Sequence, residues 1–334
     1  MYKACFSLLT TEQSWTSRMS YYKHIKMKFI CVIILFLTYY KSCESTGKYL
    51  TPNVLLLQVT ENMSVNINLY CGDHNDEDIN WKLNGFPLKN HGNQIHITVR
   101  YLEGGNYSCH NKAGDVLNHT LVLQEGVGYR KSILRLQDDS SEYISCIAKN
   151  FDGKFQCTWN NTHNRRDAEL LHFNVARVSG DSGNINCSLD GNTLHCEDGK
   201  HCPFGEEPCQ LGLSFYFRSK NRCEEYQRRF FIFDIVKPDK VTINKVGHRK
   251  FEWVRPETWS NPGSYFQLLY EVRVFERNGT CDQKETCSHI TTSNDEEFTV
   301  PTRRKKYKLC VRVKEEASDS IWSDWSTHRE PHPQ

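Results

Sequence analysis

The sequence predicts an all-β chain of sandwich domains in series, and three observations carry that prediction. Apolar residues recur with period two in many short runs, turn-forming pairs separate the runs, and cysteines fall at spacings that staple strands together. Val65, Ile67, Leu69 and Cys71 alternate, as do Ile79, Trp81 and Leu83, and then Ile95, Ile97 and Val99; Gly72-Asp73 and Gly104-Gly105 supply turns. Half-buried strands read this way because successive side chains point to opposite faces of a sheet.

With 334 residues the chain is long enough for two or three domains. A formal charge of +2 gives no reason to invoke nucleic acid or an anionic membrane as the main partner. Fifteen cysteines are more telling, because thiols at that density point to an oxidising, extracytoplasmic compartment. The segment MKFICVIILFLTYYKSCES, from Met27, has Lys26 and Lys28 for positive charge, an apolar run from Phe29 to Leu37 and small residues from Ser42 to Ser45. It reads as a signal peptide, since a membrane-spanning helix needs about 20 apolar residues. Residues 1–44 are assigned to leader and upstream sequence, and a secreted product without a membrane anchor is expected. Sequons at Asn62, Asn106, Asn118, Asn160, Asn186 and Asn278 fit a secreted glycoprotein, although Asn106 and Asn186 sit beside cysteines in predicted strands.

Residues 45–127 form the first predicted domain. Cys71, Trp81 and Tyr107-Ser108-Cys109 occur in the order of an immunoglobulin sandwich, where a disulfide joins two sheets, a tryptophan packs on it and a tyrosine ties the corner. The second domain, 128–237, opens with SEYISCIAKNFDGKFQCTW. There Cys146 and Cys157 share parity with Ile144, Ala148, Phe155 and Trp159 across an Asp152-Gly153 hairpin turn, so a bridge between them would staple the hairpin. Cys187 and Cys196 flank Leu189-Asp190-Gly191-Asn192 and read as a second stapled hairpin. In FFIFDIVKPDK, Pro238 stiffens the connection into a defined elbow. The third domain, 238–334, has inward-facing sets in Phe251 and Trp253, in Phe266, Leu268, Tyr270, Val272 and Val274, and in Leu309, Val311 and Val313. Cys281 and Cys287 bracket a loop there and are expected to pair locally.

Near the C-terminus the chain reads SDSIWSDWSTHRE. If Leu309, Val311 and Val313 face inward, Lys308, Arg312 and Lys314 face out, and a following segment can lay Trp322 and Trp325 between those cations. Each such stack is worth about 0.5 to 2 kcal/mol. The tryptophan repeat is predicted to be half of a ladder.

The paired cysteines followed by Trp159, together with Trp322-Ser323-Asp324-Trp325-Ser326, resemble the haematopoietic, or class I, cytokine receptor module, whose domains are fibronectin type III sandwiches. AKNFDGKFQC, FFIFDIVKPD and PETWSNPGSYF look like segments of its soluble members, the receptor-like chains permanently attached to a helical cytokine. The resemblance spans about Tyr49 to Ser326. It implies an immunoglobulin-like domain followed by two fibronectin type III domains, with a four-helix-bundle alpha subunit held at the elbow. It further implies that Cys196 closes an internal bridge with Cys187 while Cys202 bonds the partner, and that Phe151, Tyr265 and Glu315 face that partner. Cell-surface class I receptor chains and a homodimer are the other partners it implies. Departures are Glu316, Ala317 and Ser318, where relatives carry aromatic contacts, and the absence of any cysteine after Cys310.

Cys209 could pair with Cys223, or with Cys202, and connectivity does not follow from sequence. His201, Cys196, Cys202 and Cys209 lack zinc-ligand spacing, and oxidised cysteines cannot ligate as thiolates. No nucleophile elbow, metalloprotease helix motif or phosphate loop occurs, so neither an enzyme nor a cofactor is expected. A free soluble receptor that binds cytokine reversibly is the alternative reading, and Arg303, Arg304, Lys305 and Lys306 read as a solvated basic turn more readily than as a heparin site.

Overall fold

A computed structural model describes residues 47–73, 79–126, 131–137, 142–179, 184–202, 207, 209–260, 266–276, 279–302, 306–317 and 320–329. The signal-peptide reading lies outside these residues, as do Tyr265, Asn278 and Arg303 to Lys305. The described chain is nearly all strand and turn and divides into two compact units, residues 1–122 and 123–334.

The first unit contains β1 (Lys48–Thr51), β2 (Val54–Leu57), β3 (Ser64–Tyr70), β4 (Asn80–Leu83), β5 (Phe86–His91), β6 (Gln94–Arg100), β7 (Gly105–His110) and most of β8 (Val116–Glu125). β3 pairs antiparallel with β6, while β5, β4, β7 and β8 lie side by side in a second sheet. Cys71, just beyond β3, is bonded to Cys109 of β7, with Cα atoms 5.9 Å apart, so the bridge ties one sheet to the other. Trp81 is buried against it and donates its indole N–H to the Gly92 carbonyl at 2.9 Å. The turn between β4 and β5 is Asn84-Gly85, both at positive φ (51° and 86°), which matches the twist of a two-residue hairpin.

The second unit holds two sandwiches. β9 (Ile144–Ala148), β10 (Lys154–Trp159), β12 (Ile185–Asp190) and β13 (Thr193–Asp198) form a sheet ordered β12-β13-β10-β9; β11 (Glu169–Arg177), β14 (Leu211–Ser219) and β15 (Arg222–Phe230) form the facing one. Trp159 on the first sheet reaches Phe215 and Phe217 on the other, with ring centroids 5.4 Å apart in both cases. Cys146 stands directly opposite Cys157, and Cys187 directly opposite Cys196, so each hairpin is closed by a disulfide between register partners. Glu224 of β15 is buried and collects the amides of Ser132 and Ile133 at 2.9 and 3.0 Å, the Tyr226 hydroxyl at 2.5 Å and Arg222 at 3.0 Å. Burial alone would raise its carboxyl, but those hydrogen bonds and the guanidinium outweigh burial and hold it below the usual carboxylate range.

The last sandwich pairs β16 (Thr242–Lys245), β17 (Lys250–Val254) and β20 (Glu297–Thr299) in one sheet, and β19 (His289–Ser293), β18 (Leu268–Phe275), β21 (Lys308–Glu315) and β22 (Ser326–Arg329) in the other. One continuous apolar core runs through both sandwiches: Phe155, Trp159 and Phe230 belong to it, as do Phe251, Trp253, Tyr270 and Val311. The sequence spacing reads as two successive modules; the structure fuses their cores at the elbow.

One disulfide corrects the sequence reading. Cys281 is bonded to Cys310, with Cα atoms 5.9 Å apart, and not to Cys287. Strand alternation explains this, because Cys310 follows the inward Leu309 and so faces outward beside Phe275 and Cys281. Cys287 packs against the same cluster but is engaged otherwise: it follows the 3-10 turn Lys284–Thr286, its amide bonded to the Lys284 carbonyl at 3.2 Å and its thiol donating to the His289 carbonyl at 2.7 Å. Cys202, Cys209, Cys223 and Cys287 are left unbonded, so neither pairing weighed for Cys209 forms. Cys223 is deeply buried, and burial together with Glu125, Glu224 and Glu225 pushes its thiol up to about 12.

Candidate functional site

The elbow is a built joint. Phe231 leads into the 3-10 turn Ile232–Ile235, where the Asp234 carboxylate accepts the Phe231 amide at 2.9 Å. Val236 then bridges to Ala148 of β9, and the Lys237 amide donates to the Ala148 carbonyl at 2.7 Å. From the β9–β10 turn, Lys149 pairs with Asp239, and the Asn150 amide group donates to the Thr258 carbonyl at 2.7 Å. Thr258 in turn donates to Asp239 at 3.0 Å. From the C-terminal motif, the Ile321 amide donates to the Val236 carbonyl at 2.8 Å and Lys237 pairs with Asp324 at 2.9 Å.

Phe151 lies inside this joint. It stacks on Phe266 with centroids 3.9 Å apart, meets Trp259 edge-on at 5.9 Å, and is only 6% exposed. The expectation that it faces a partner is therefore corrected: the tight turn folds it inward, with Asn150 Oδ1 accepting the Asp152 amide at 2.8 Å. Gly153 completes that turn at φ +88°, and a Cβ there would lie 3.0 Å from the Asp198 carbonyl. Glu315 is corrected likewise. It is 3% exposed, its amide bonds Ser320 Oγ and its carboxylate caps the Ala317 amide at 2.9 Å, so it organises the turn that follows β21.

Among the described residues four cysteines are unbonded, and Cys202 is the exposed one. It follows a turn fixed by Asp198, whose buried carboxylate takes Arg177 at 2.5 and 2.6 Å and the Lys200 amide at 3.0 Å, while the Asp198 carbonyl accepts the His201 amide at 3.1 Å. Beyond it, Glu207 accepts the amides of Ile232 and Phe233 at 2.7 and 3.2 Å. Burial pushes the Glu207 carboxyl up, against the opposing pull of those amides and of His201. A cleft of about 700 Å³ opens beside the elbow, lined by Lys149, Asn150, Gln156, His195, Glu257 and Thr258 among others.

The tryptophan repeat forms the predicted ladder and extends it. Arg312 lies 4.6 Å from the Trp322 ring and 4.5 Å from Trp325; Lys314 caps one end at 5.6 Å from Trp322, and Arg273 closes the other at 4.7 Å from Trp325. Lys308 instead lies over Phe275. Glu271 bridges the two guanidiniums, binding Arg273 at 2.6 Å and Arg312 at 2.5 Å. Ser323 Oγ accepts the Val313 amide at 3.0 Å, and Ser326 donates to the Val241 carbonyl, so the serines stitch the motif to the sandwich. Glu271, Arg273, Asp198 and Glu207 escaped the sequence reading. Strand parity offered a signal for the first two, since they occupy the same outward face of β18 that the motif covers.

Asn62, Asn106, Asn160 and Asn186 are exposed, Asn118 is half-buried, and Lys306 of the basic run is exposed. Among the described residues no group of three His, Cys, Asp or Glu could hold a metal ion, and no helix is long and apolar enough to cross a membrane.

A family model described as the cytokine interleukin-12p40 C-terminus matches residues 141–219, which hold the paired hairpins and the Cys202 segment. Interleukin-12 subunit beta of the cat is 28% identical over 286 residues, covering 78% of this chain and 84% of that protein. The horse and human proteins of that name are 28% and 27% identical over 290 and 289 residues, each with the same 78% and 84% coverage. The motif-bearing sandwich, the stapled hairpins and this sequence similarity agree: along most of its length the chain is similar to interleukin-12 subunit beta, and a cytokine subunit is what that similarity supports.

Proposed function

We propose that this chain is the secreted, receptor-like half of a heterodimeric cytokine of the interleukin-12 or interleukin-23 type. In this reading the elbow of the second unit holds a four-helix alpha subunit, Cys202 forms the intermolecular disulfide, and the assembled pair engages cell-surface class I receptor chains. The observation that carries the proposal is the exposed Cys202 thiol, outside every disulfide among the described residues. A fused core at the elbow supports it, because a joint fixed in advance loses little freedom when a partner docks.

The test is co-expression with alpha subunits of both types, followed by non-reducing electrophoresis of the medium. A covalent heterodimer that disappears in Cys202→Ser is expected. A monomer that captures the alpha subunit without any covalent band would instead favour a freely dissociating soluble receptor, and a covalent homodimer would point to self-association through the same thiol.

A further inference from the structure

The sequon at Asn186 stands in the cleft beside the elbow. Asn186 and Ser188, its first and third residues, lie on β12 and both line that cleft. Strand register builds the floor around them: Asn186 is opposite Glu197 and then Lys154, while Ser188 is opposite His195 and then Gln156. Alternation puts these six side chains on one face of the sheet. Glu257 and Thr258, from the turn that closes the elbow, line the cleft from the other sandwich. β12 is the outermost strand of its sheet and Asn186 is exposed, so a sugar on its side-chain amide has a way in. The volume of about 700 Å³ is that of a site for a small ligand. Amide, imidazole, ammonium and carboxylate groups on the floor suit sugar hydroxyls, which both donate and accept hydrogen bonds.

We infer that Asn186 carries an N-linked glycan whose first sugars lie on this floor, and that a chain so modified does not seat an alpha subunit at the elbow. The exclusion rests on the function proposed above; the seat of the sugar does not. In the transfer, the Asn186 side-chain nitrogen bonds the anomeric carbon of an oligosaccharide carried on a lipid pyrophosphate. The carbon–oxygen bond to that pyrophosphate breaks, the lipid pyrophosphate leaves with the electron pair, and the amide nitrogen gives up one proton. Cys187, the middle residue of the sequon, is bridged to Cys196 between register partners, so transfer must come before the hairpin is locked. Glycosyl transfer and bridge closure therefore compete, and both glycoforms are expected.

Three measurements on the full secreted chain test this. Glycopeptide mapping is expected to find Asn186 occupied in part, and a wholly bare Asn186 overturns the inference. On the native protein, peptide N-glycosidase is expected to release the Asn186 glycan roughly fivefold faster when Gln156→Ala and His195→Ala are combined than from wild type. His195→Ala alone serves if the double variant is not secreted, and release at the wild-type rate overturns the seat. In co-expression with alpha subunits of both types, occupancy at Asn186 is expected to be roughly tenfold lower in the heterodimer than in the free chain, with Asn186→Gln raising the heterodimer share. Equal occupancy in the two pools overturns the exclusion. Should Asn186→Gln form no heterodimer either, the alpha-subunit reading falls and the exclusion with it, while the release rates still decide where the sugar lies.

Discussion

Arg312 is the side chain on which the tryptophan ladder turns, and replacing it separates the two interactions that meet there. Its guanidinium lies between two indoles at 4.6 and 4.5 Å and reaches the buried Glu271 carboxylate with two nitrogens, at 2.8 and 2.5 Å. Arg312→Ala removes two cation–π stacks, about 0.5 to 2 kcal/mol each. It also leaves Glu271 with only Arg273, and breaking a buried pair costs about 3 to 5 kcal/mol when nothing compensates. Since Arg273 still binds Glu271 at 2.6 Å, the lower end of that range, about 3 kcal/mol, applies, and the total is about 4 to 7 kcal/mol. Arg312→Lys keeps the charge but loses the planar stack and the forked hydrogen bonds, so about 1 to 3 kcal/mol is expected. Thermal unfolding followed by tryptophan fluorescence reads both. For a unit of this size each kcal/mol moves the midpoint by about 2 to 4 °C, so the alanine variant should melt at least about 8 °C lower and the lysine variant should fall between it and wild type. A lysine variant that melts with wild type would refute the reasoning, because the stack and the fork would then contribute nothing beyond charge.

Phe151→Ala should destabilise the second unit by about 3 to 5 kcal/mol, as removal of a buried aromatic does, and denaturant titration of the isolated chain checks this without any partner. Were the residue a surface contact, stability would be untouched. Peptide mapping without reduction should recover Cys281 joined to Cys310 in wild type and in Cys287→Ser alike; Cys310→Ser should lose about 2 to 5 kcal/mol, measured by urea midpoint. Recovery of a Cys281–Cys287 peptide from the wild-type protein would sink that assignment. Glu224, held below the usual carboxylate range, stabilises fully above its unfolded value, and that contribution drains away as pH falls through the lower folded value. Stability measured from pH 7 down to pH 3 should therefore fall less steeply in Glu224→Gln than in wild type; parallel profiles would show that the network carries no linkage.

By itself the sequence determined the strands, the three inter-strand disulfides that close local or well-spaced pairs, and the tryptophan–arginine stack, because alternation and turn chemistry act over a few residues and leave a readable period. The same local logic misassigned Cys281. Loop length favours Cys287, six residues away, whereas the pairing depends on which face of β21 meets which face of β18, and that register is a long-range choice. Phe151 and Glu315 went wrong for a related reason: a turn residue looks exposed until a second sandwich folds against it, and only the fused core reveals that one fills the joint and the other caps a strand end. Glu271 and Arg273, charged residues on a strand, read as solvent-facing, and the motif that buries them arrives some fifty residues later in the chain. The resemblance already singled out Cys202, but only the tertiary structure decided that Cys223 is buried inside the sandwich, and it alone bound Glu207 to the elbow.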